Sequence, residues 1–279
     1  MKQNKKKILF GFLILLIVCS CDKKPNHTTI EEREEAVSKY GVFIGANYEQ
    51  LDVSQYDIIV IDAVYYSKEE IERLQQKGMV VYTYLNVGSL EDFRDFYFDY
   101  QQLILGEYEN WLGEYWIDVS NVAWQNHIVE LAASLVDKGV DGFFIDNTDV
   151  YYHYHTPDIF QGLITILNQL SEYEKDILIN GGDIFVAEAI LAVEEPLVKI
   201  TGVNQECVFT KIDFEKGELM QQSAEDTNYY QEYLKRCRSK DLKVYLLEYT
   251  TDETLVQSIE EYCHTYECQY YIASSIDLQ

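Results

Sequence analysis

Gly142-Phe143-Phe144-Ile145-Asp146-Asn147-Thr148-Asp149 is a short apolar run that stops abruptly at acids and an amide. Its length and aromatic content read as a buried strand with a carboxylate held at its tip. A helical pattern precedes it: in Trp124–Lys138, residues Ile128, Leu131, Ala132 and Leu135 recur at helical spacing. Another follows: Ile159–Tyr173 carries Phe160, Leu163, Ile164 and Leu167 on one face. Gly139 stands where a helix closes in a left-handed turn, and Pro157 suits a first helical turn. A strand set between two helices is the repeating unit of a parallel sheet.

The unit recurs along the chain. Strand-like runs are Gly41–Ala46, Ile58–Asp62, Val80–Asn86, Gly142–Asp146, Ile177–Asn180, Gly202–Glu206, Val244–Glu248 and Tyr270–Ser274. Further helical patterns are Lys68–Lys77, closed by Gly78, and Leu255–Tyr262. Eight strands with intervening helices predict a single α/β domain, a (β/α)8 TIM barrel. A doubly wound open sheet is the alternative, but it usually has fewer strands, and the chain has no Gly-rich phosphate loop. Ser89 to Val119 breaks the alternation and reads as an insertion after the third strand, with Tyr115–Val119 as a short extra strand.

The N-terminus reads differently. Residues 1–20 combine Lys2, Lys5, Lys6 and Lys7 with an apolar run, Ile8 to Val18, too short to span a bilayer. Val18-Cys19-Ser20-Cys21 resembles the lipobox of bacterial lipoproteins, which implies cleavage before Cys21 and lipidation of Cys21. Residues 21–39 then form a polar tether and residues 40–279 the folded domain. The expectation is an extracellular, lipid-anchored protein; a plain secretory signal is the alternative. Loss of four lysines and no acids takes the net charge from −26 to −30. So acidic a surface argues against nucleic acid or anionic lipid as a direct partner and is compatible with a cationic substrate; solubility is the alternative explanation of the charge. A monomer is expected.

Four cysteines remain in the domain, Cys207, Cys237, Cys263 and Cys268. Their spacing makes no metal site, and no metal or cofactor is expected. Cys263 and Cys268 are close enough in sequence for a local disulfide; buried free thiols are the other reading.

In a (β/α)8 barrel the C-terminal strand ends face the active site. Here they are Asp62, Asn86, Asp146, Asn180, Glu206, Glu248 and Ser274. Seven polar ends, four of them carboxylates, exceed what turn chemistry asks for. Asp62 can also cap the helix after its strand, and Glu248 can serve as a hydrogen-bond anchor beside Tyr249. Asp146 and Glu206 are the strongest pair, because apolar residues border both and a buried carboxylate needs partners or a raised pKa. Two carboxylates on different strands are the minimum for glycoside hydrolysis. The five histidines occupy no clear strand end, and no Gly-x-Ser-x-Gly elbow is present. Tyrosine is abundant, 24 residues against 12 Phe, and Tyr65, Tyr66, Tyr84, Tyr151, Tyr152 and Tyr154 fall at or after strand ends. Such rings stack on sugars; covering the barrel exterior is the alternative.

Several motifs in order carry a family resemblance. Tyr82-Thr83-Tyr84-Leu85-Asn86-Val87-Gly88-Ser89-Leu90-Glu91-Asp92-Phe93-Arg94 resembles the third-strand motif of glycoside hydrolase family 114. Trp111 to Asp118 resembles its next motif. Gly142 to Asp149, Val203 to Cys207 and Leu247-Glu248-Tyr249 are similar to its later strand ends. The resemblance spans Tyr40 to Leu278. It implies an endo-acting α-1,4-polygalactosaminidase with a retaining mechanism, Asp146 as nucleophile and Glu206 as acid/base. Substrate contacts are then expected from Asp62, Tyr84, Asn86, Asp118, Asn147, Asp149, Asn180 and Glu248. The substrate would be a cationic or amino-sugar polysaccharide, since galactosamine without its acetyl group is an ammonium. A non-catalytic carbohydrate-binding surface lipoprotein on the same scaffold is the alternative.

Overall fold

The computed structural model describes residues 39–279. The lipobox at Cys21, the basic apolar leader and all but the last residue of the tether lie outside the described residues.

Eight parallel strands form one sheet: β1 (Tyr40–Phe43), β2 (Ile58–Ile61), β3 (Val80–Asn86), β4 (Gly142–Asp146), β5 (Asp176–Asn180), β6 (Gly202–Glu206), β7 (Lys243–Tyr249) and β8 (Gln269–Ala273). Each pairs with its sequence neighbour, and β1 lies beside β8 to close the barrel. The Gly45 N–H donates to the Leu278 carbonyl at 3.1 Å across that seam. Five longer helices surround the strands: α1 (Lys68–Gln76), α2 (Val122–Lys138), α3 (Pro157–Ser171), α4 (Ala224–Arg238) and α5 (Glu253–Tyr266). The expected (β/α)8 barrel is the fold found.

Strand alternation sorts the side chains. Phe143, Ile145, Ile177, Ile179, Val203 and Leu246 pack outward under the helices. Val42, Val60, Phe144, Leu178 and Leu247 fill the interior, together with Tyr40, Tyr82, Tyr84, Tyr245 and Tyr249. Of the six strand-end tyrosines, only Tyr84 lies in the interior; Tyr66, Tyr151 and Tyr154 pack in the outer core, and Tyr65 and Tyr152 are exposed. Each fully buried large side chain contributes roughly 1.5–3 kcal/mol.

Helix ends follow their sequence signals. Ser67 and Glu70 form a capping box on α1, Thr156 accepts from the Ile159 N–H at the start of α3, and Gly139 closes α2 at φ 101°. α4, absent from the helices expected from the sequence, is capped by Ser223, which accepts the Asp226 N–H, and packs a short stripe of Tyr230, Tyr233, Leu234 and Cys237. Between β1 and β2 the chain returns through a loop without a helix.

Two excursions rise over the C-terminal mouth. The insertion after β3 forms a three-stranded antiparallel sheet from Ser89–Glu91, Ile104–Glu107 and Glu114–Ile117. A hairpin after β6 pairs Thr210–Asp213 with Glu218–Gln221. Trp111 of the first meets Phe214 of the second edge-on, with ring centroids 5.6 Å apart. All four cysteines of the described residues are free thiols, including Cys263 and Cys268.

Candidate active site

The parity that buries Val60, Phe144, Leu178, Asn204 and Leu247 inside the barrel sends Asp62, Asp146, Asn180, Glu206 and Tyr249 to its mouth, two residues on. They border a cleft of about 720 Å³, walled by the insertion and the hairpin.

Asn180 connects the two acids. Its amide nitrogen donates to Asp146 Oδ1 at 2.8 Å and to Glu206 Oε1 at 2.7 Å. Those oxygens can be no farther apart than the two bonds laid end to end, about 5.5 Å. The sense of the amide is fixed from below. Tyr40 donates its hydroxyl to Asn204 Oδ1 at 3.2 Å, and the Asn204 amide donates to Asn180 Oδ1 at 2.7 Å. Asn180 is thereby left with both hydrogens for the carboxylates. Glu206 Oε2 also accepts the Tyr249 hydroxyl at 2.8 Å, whereas Asp146 Oδ2 accepts nothing from the described residues.

Burial is the first cause of the raised pKa of both acids. For Asp146 the charge of Glu206 adds to it and lifts the carboxyl well above the usual range. Asn180 pulls both back. Neighbouring acids at one mouth favour a pair that holds one proton between them.

Asn147, the next residue, adopts a left-handed φ of 64°. Its carbonyl lies where a Cβ on Gly88 would be, 1.7 Å away, so only glycine fits at 88. The Asn147 amide donates to Glu114 Oε1 at 2.8 Å and to Ser89 Oγ at 3.0 Å. Ser89 also donates to Glu114 Oε1. Burial raises the pKa of Glu114 against these bonds.

The other expected contact residues divide. Asp62, Tyr84, Asn147, Asp149 and Asn180 line the cleft. Asp62 caps the turn after β2 through the Val64 N–H, and it pairs with buried Arg94, which also holds Glu91 at 2.5 Å. Asp149 accepts the Gly182 N–H at 3.0 Å, and burial followed by the charge of Asp183 pushes it up to about 7.

Three do not line it. Glu248 has the opposite parity to Tyr249 and is fully buried. It accepts the Val208, Phe209 and Thr210 N–H groups and the Thr210 hydroxyl, which fixes the turn after Glu206. Burial pushes it up to about 7 against those donors. Asp118 accepts from the Ser120 N–H and hydroxyl and holds the turn before α2. Asn86 points inward but is covered by Ser89, Glu114 and Asn147, to which it bonds. Glu114 and Asn204 were missed as site residues because their partners are distant in sequence; Arg94 has one near partner, Glu91, and one distant one, Asp62. Among the described residues, no group of His, Cys, Asp and Glu is arranged to hold a metal.

A parallel barrel with two acids joined through one amide at its mouth belongs to the class of glycoside hydrolases. The model of glycoside-hydrolase family GH114 matches residues 26–276, and the chain belongs to that family. Among solved structures, the glycoside hydrolase domain of PelA from Pseudomonas aeruginosa superimposes with TM-score 0.71 and 17% identity, over 87% of this chain and 96% of that one. Aspergillus fumigatus Ega3, solved with galactosamine, gives TM-score 0.68 and 17% identity, over 91% and 97%. At these identities the likeness shows the fold. An uncharacterised protein of Thermotoga maritima is 22% identical over 62% of this chain, and one of Methanocaldococcus jannaschii 27% over 39%. The matches span 59% and 35% of those relatives' lengths.

Proposed function

We propose that the chain is an endo-acting hydrolase of α-1,4-linked, galactosamine-rich polysaccharide that works by double displacement. The observation that carries this reading is the Asn180 amide between Asp146 and Glu206, which keeps one oxygen of each acid within about 5.5 Å of the other. Retaining glycosidases hold their carboxyls roughly 5–5.5 Å apart, and inverting ones roughly 6.5–9.5 Å. Asp146 Oδ2, free of donors, attacks the anomeric carbon. Burial and the charge of Glu206 raise the pKa of Asp146 strongly, but the ammonium of a seated sugar favours its ionised form, and Glu206 delivers the proton of the pair to the leaving oxygen. In the second step Glu206 takes a proton from water, which cleaves the ester on Asp146. The galactosamine in the Ega3 structure and the acidic cleft support an amino-sugar substrate. Val18-Cys19-Ser20-Cys21 supports a lipid anchor at Cys21 that holds the enzyme at the outer face of a membrane.

The test is incubation with de-N-acetylated galactosamine oligomers, wild type beside Glu206→Gln, with product masses read out. Shorter oligomers from internal cuts are expected from wild type alone. No cleavage by wild type, or equal cleavage by the variant, overturns the reading.

A further inference from the structure

We propose that Glu114 selects the free amine of the sugar seated against Asp146, its Oε2 receiving the hydrogen bond of the C2 ammonium. This rests on the reading of the site as a galactosaminidase and names the residue that sets its substrate class.

Glu114 comes from the insertion, not from a barrel strand, and it reaches the cleft at the Asp146 side. Its Oε1 is saturated by the Ser89 hydroxyl and the Asn86 and Asn147 amides. These three donors fix the carboxylate plane. Oε2 has no donor among the described residues, and it is not sealed away from the cleft. No lysine or arginine among the described residues pairs with Glu114. A largely buried carboxylate with one oxygen fixed and the other open is a preorganised receptor for a cation.

Of the other cleft acids, Asp62, Glu91 and Glu206 are occupied, while Asp277 makes no side-chain hydrogen bond among the described residues but follows β8, four strands around the barrel from β4. Asp62 and Glu91 are matched to Arg94, and Glu206 accepts on both oxygens. Asp149 accepts the Gly182 N–H on Oδ2 alone, which makes it the rival carboxylate for the ammonium. Asn147 joins Glu114 directly to the residue after Asp146. A sugar whose anomeric carbon faces Asp146 carries its C2 nitrogen two bonds from the reacting centre. On this proposal the carboxylate bound to Asn147, the residue after Asp146, receives that substituent. An acetamide there loses the charge and adds bulk against a fixed oxygen.

The experiment compares kcat/KM on de-N-acetylated and N-acetylated galactosamine oligomers for wild type, Glu114→Gln and Asp149→Asn. The ratio of the two substrates does not depend on how much enzyme is folded. Glu114→Gln is expected to lower the amine-to-acetamide ratio roughly 10–100-fold, the loss of one charge-assisted bond. Asp149→Asn should leave the ratio within threefold. A parallel calorimetric arm measures Kd for galactosamine and for galactose on a Glu206→Gln background, with and without Glu114→Gln. It reads the same selectivity if turnover is lost. An unchanged ratio in both arms, or a ratio that moves with Asp149→Asn instead, overturns the assignment. Wild type that cleaves neither polymer defeats the enzymatic reading, while the binding arm still judges Glu114.

Discussion

Replacing Asn180 by Ala removes one nitrogen and two hydrogen bonds to acids, at 2.8 and 2.7 Å. Hydrogen bonds to charged groups contribute roughly 1.5–3 kcal/mol each. Both exist in the resting site, so only part of that sum is specific to the transition state. If about half is, kcat should fall roughly 10²-fold, taking 1.36 kcal/mol per decade. The variant should also shift the pH profile. Asn180 lowers the pKa of both acids, so its loss moves both limbs of the bell to higher pH. The assay is reducing-end release from de-N-acetylated galactosamine oligomers between about pH 4 and 9, with circular dichroism to confirm folding. A variant within threefold of wild type, with an unmoved profile, would refute the idea that this amide organises the pair.

Other outcomes follow from the same geometry. Gly88→Ala places a Cβ on the Asn147 carbonyl, which is backbone and cannot swing away. It should cost about 1–3 kcal/mol in urea unfolding and suppress turnover; a stable, active variant contradicts the packing argument. Asp149 binds its proton up to about 7 in the fold but only to about 4 when unfolded. The native state thus holds more protons between those values, and stability falls as pH rises through them, by up to about 4 kcal/mol. Asp149→Asn should flatten that slope, and urea midpoints measured across the window decide it. An acidic cleft drawing a cationic polymer predicts a KM that rises with salt while kcat holds; a salt-independent KM speaks against electrostatic capture.

Much of the fold was legible because strand ends and helix ends are local events. Gly142 to Asp146 shows its apolar run, its stop and its flanking helices within a few dozen residues. Asp146, Asn180 and Glu206 emerged as strand ends for the same reason, and β parity carries them to one mouth. Parity also separates Glu248 from Tyr249, a distinction that sequence adjacency hides. The rest is long-range. Glu114 stands in an insertion strand, and its role depends on Asn86, Ser89 and Asn147 converging on one oxygen. Asn204 matters only through Tyr40 and Asn180, which lie far apart in the chain. α4 was legible too, through the Ser223 cap and the Tyr230, Tyr233, Leu234 and Cys237 spacing, but its stripe is short and its other faces are charged.

The central claim is that Asp146 and Glu206 form a double-displacement pair. Proton NMR of the first products from an α-1,4-linked galactosamine oligomer tests it most directly. Wild type should release the α-anomer before mutarotation mixes the signals, and Asp146→Asn should release nothing. First release of the β-anomer, or undiminished release by Asp146→Asn, would contradict the account.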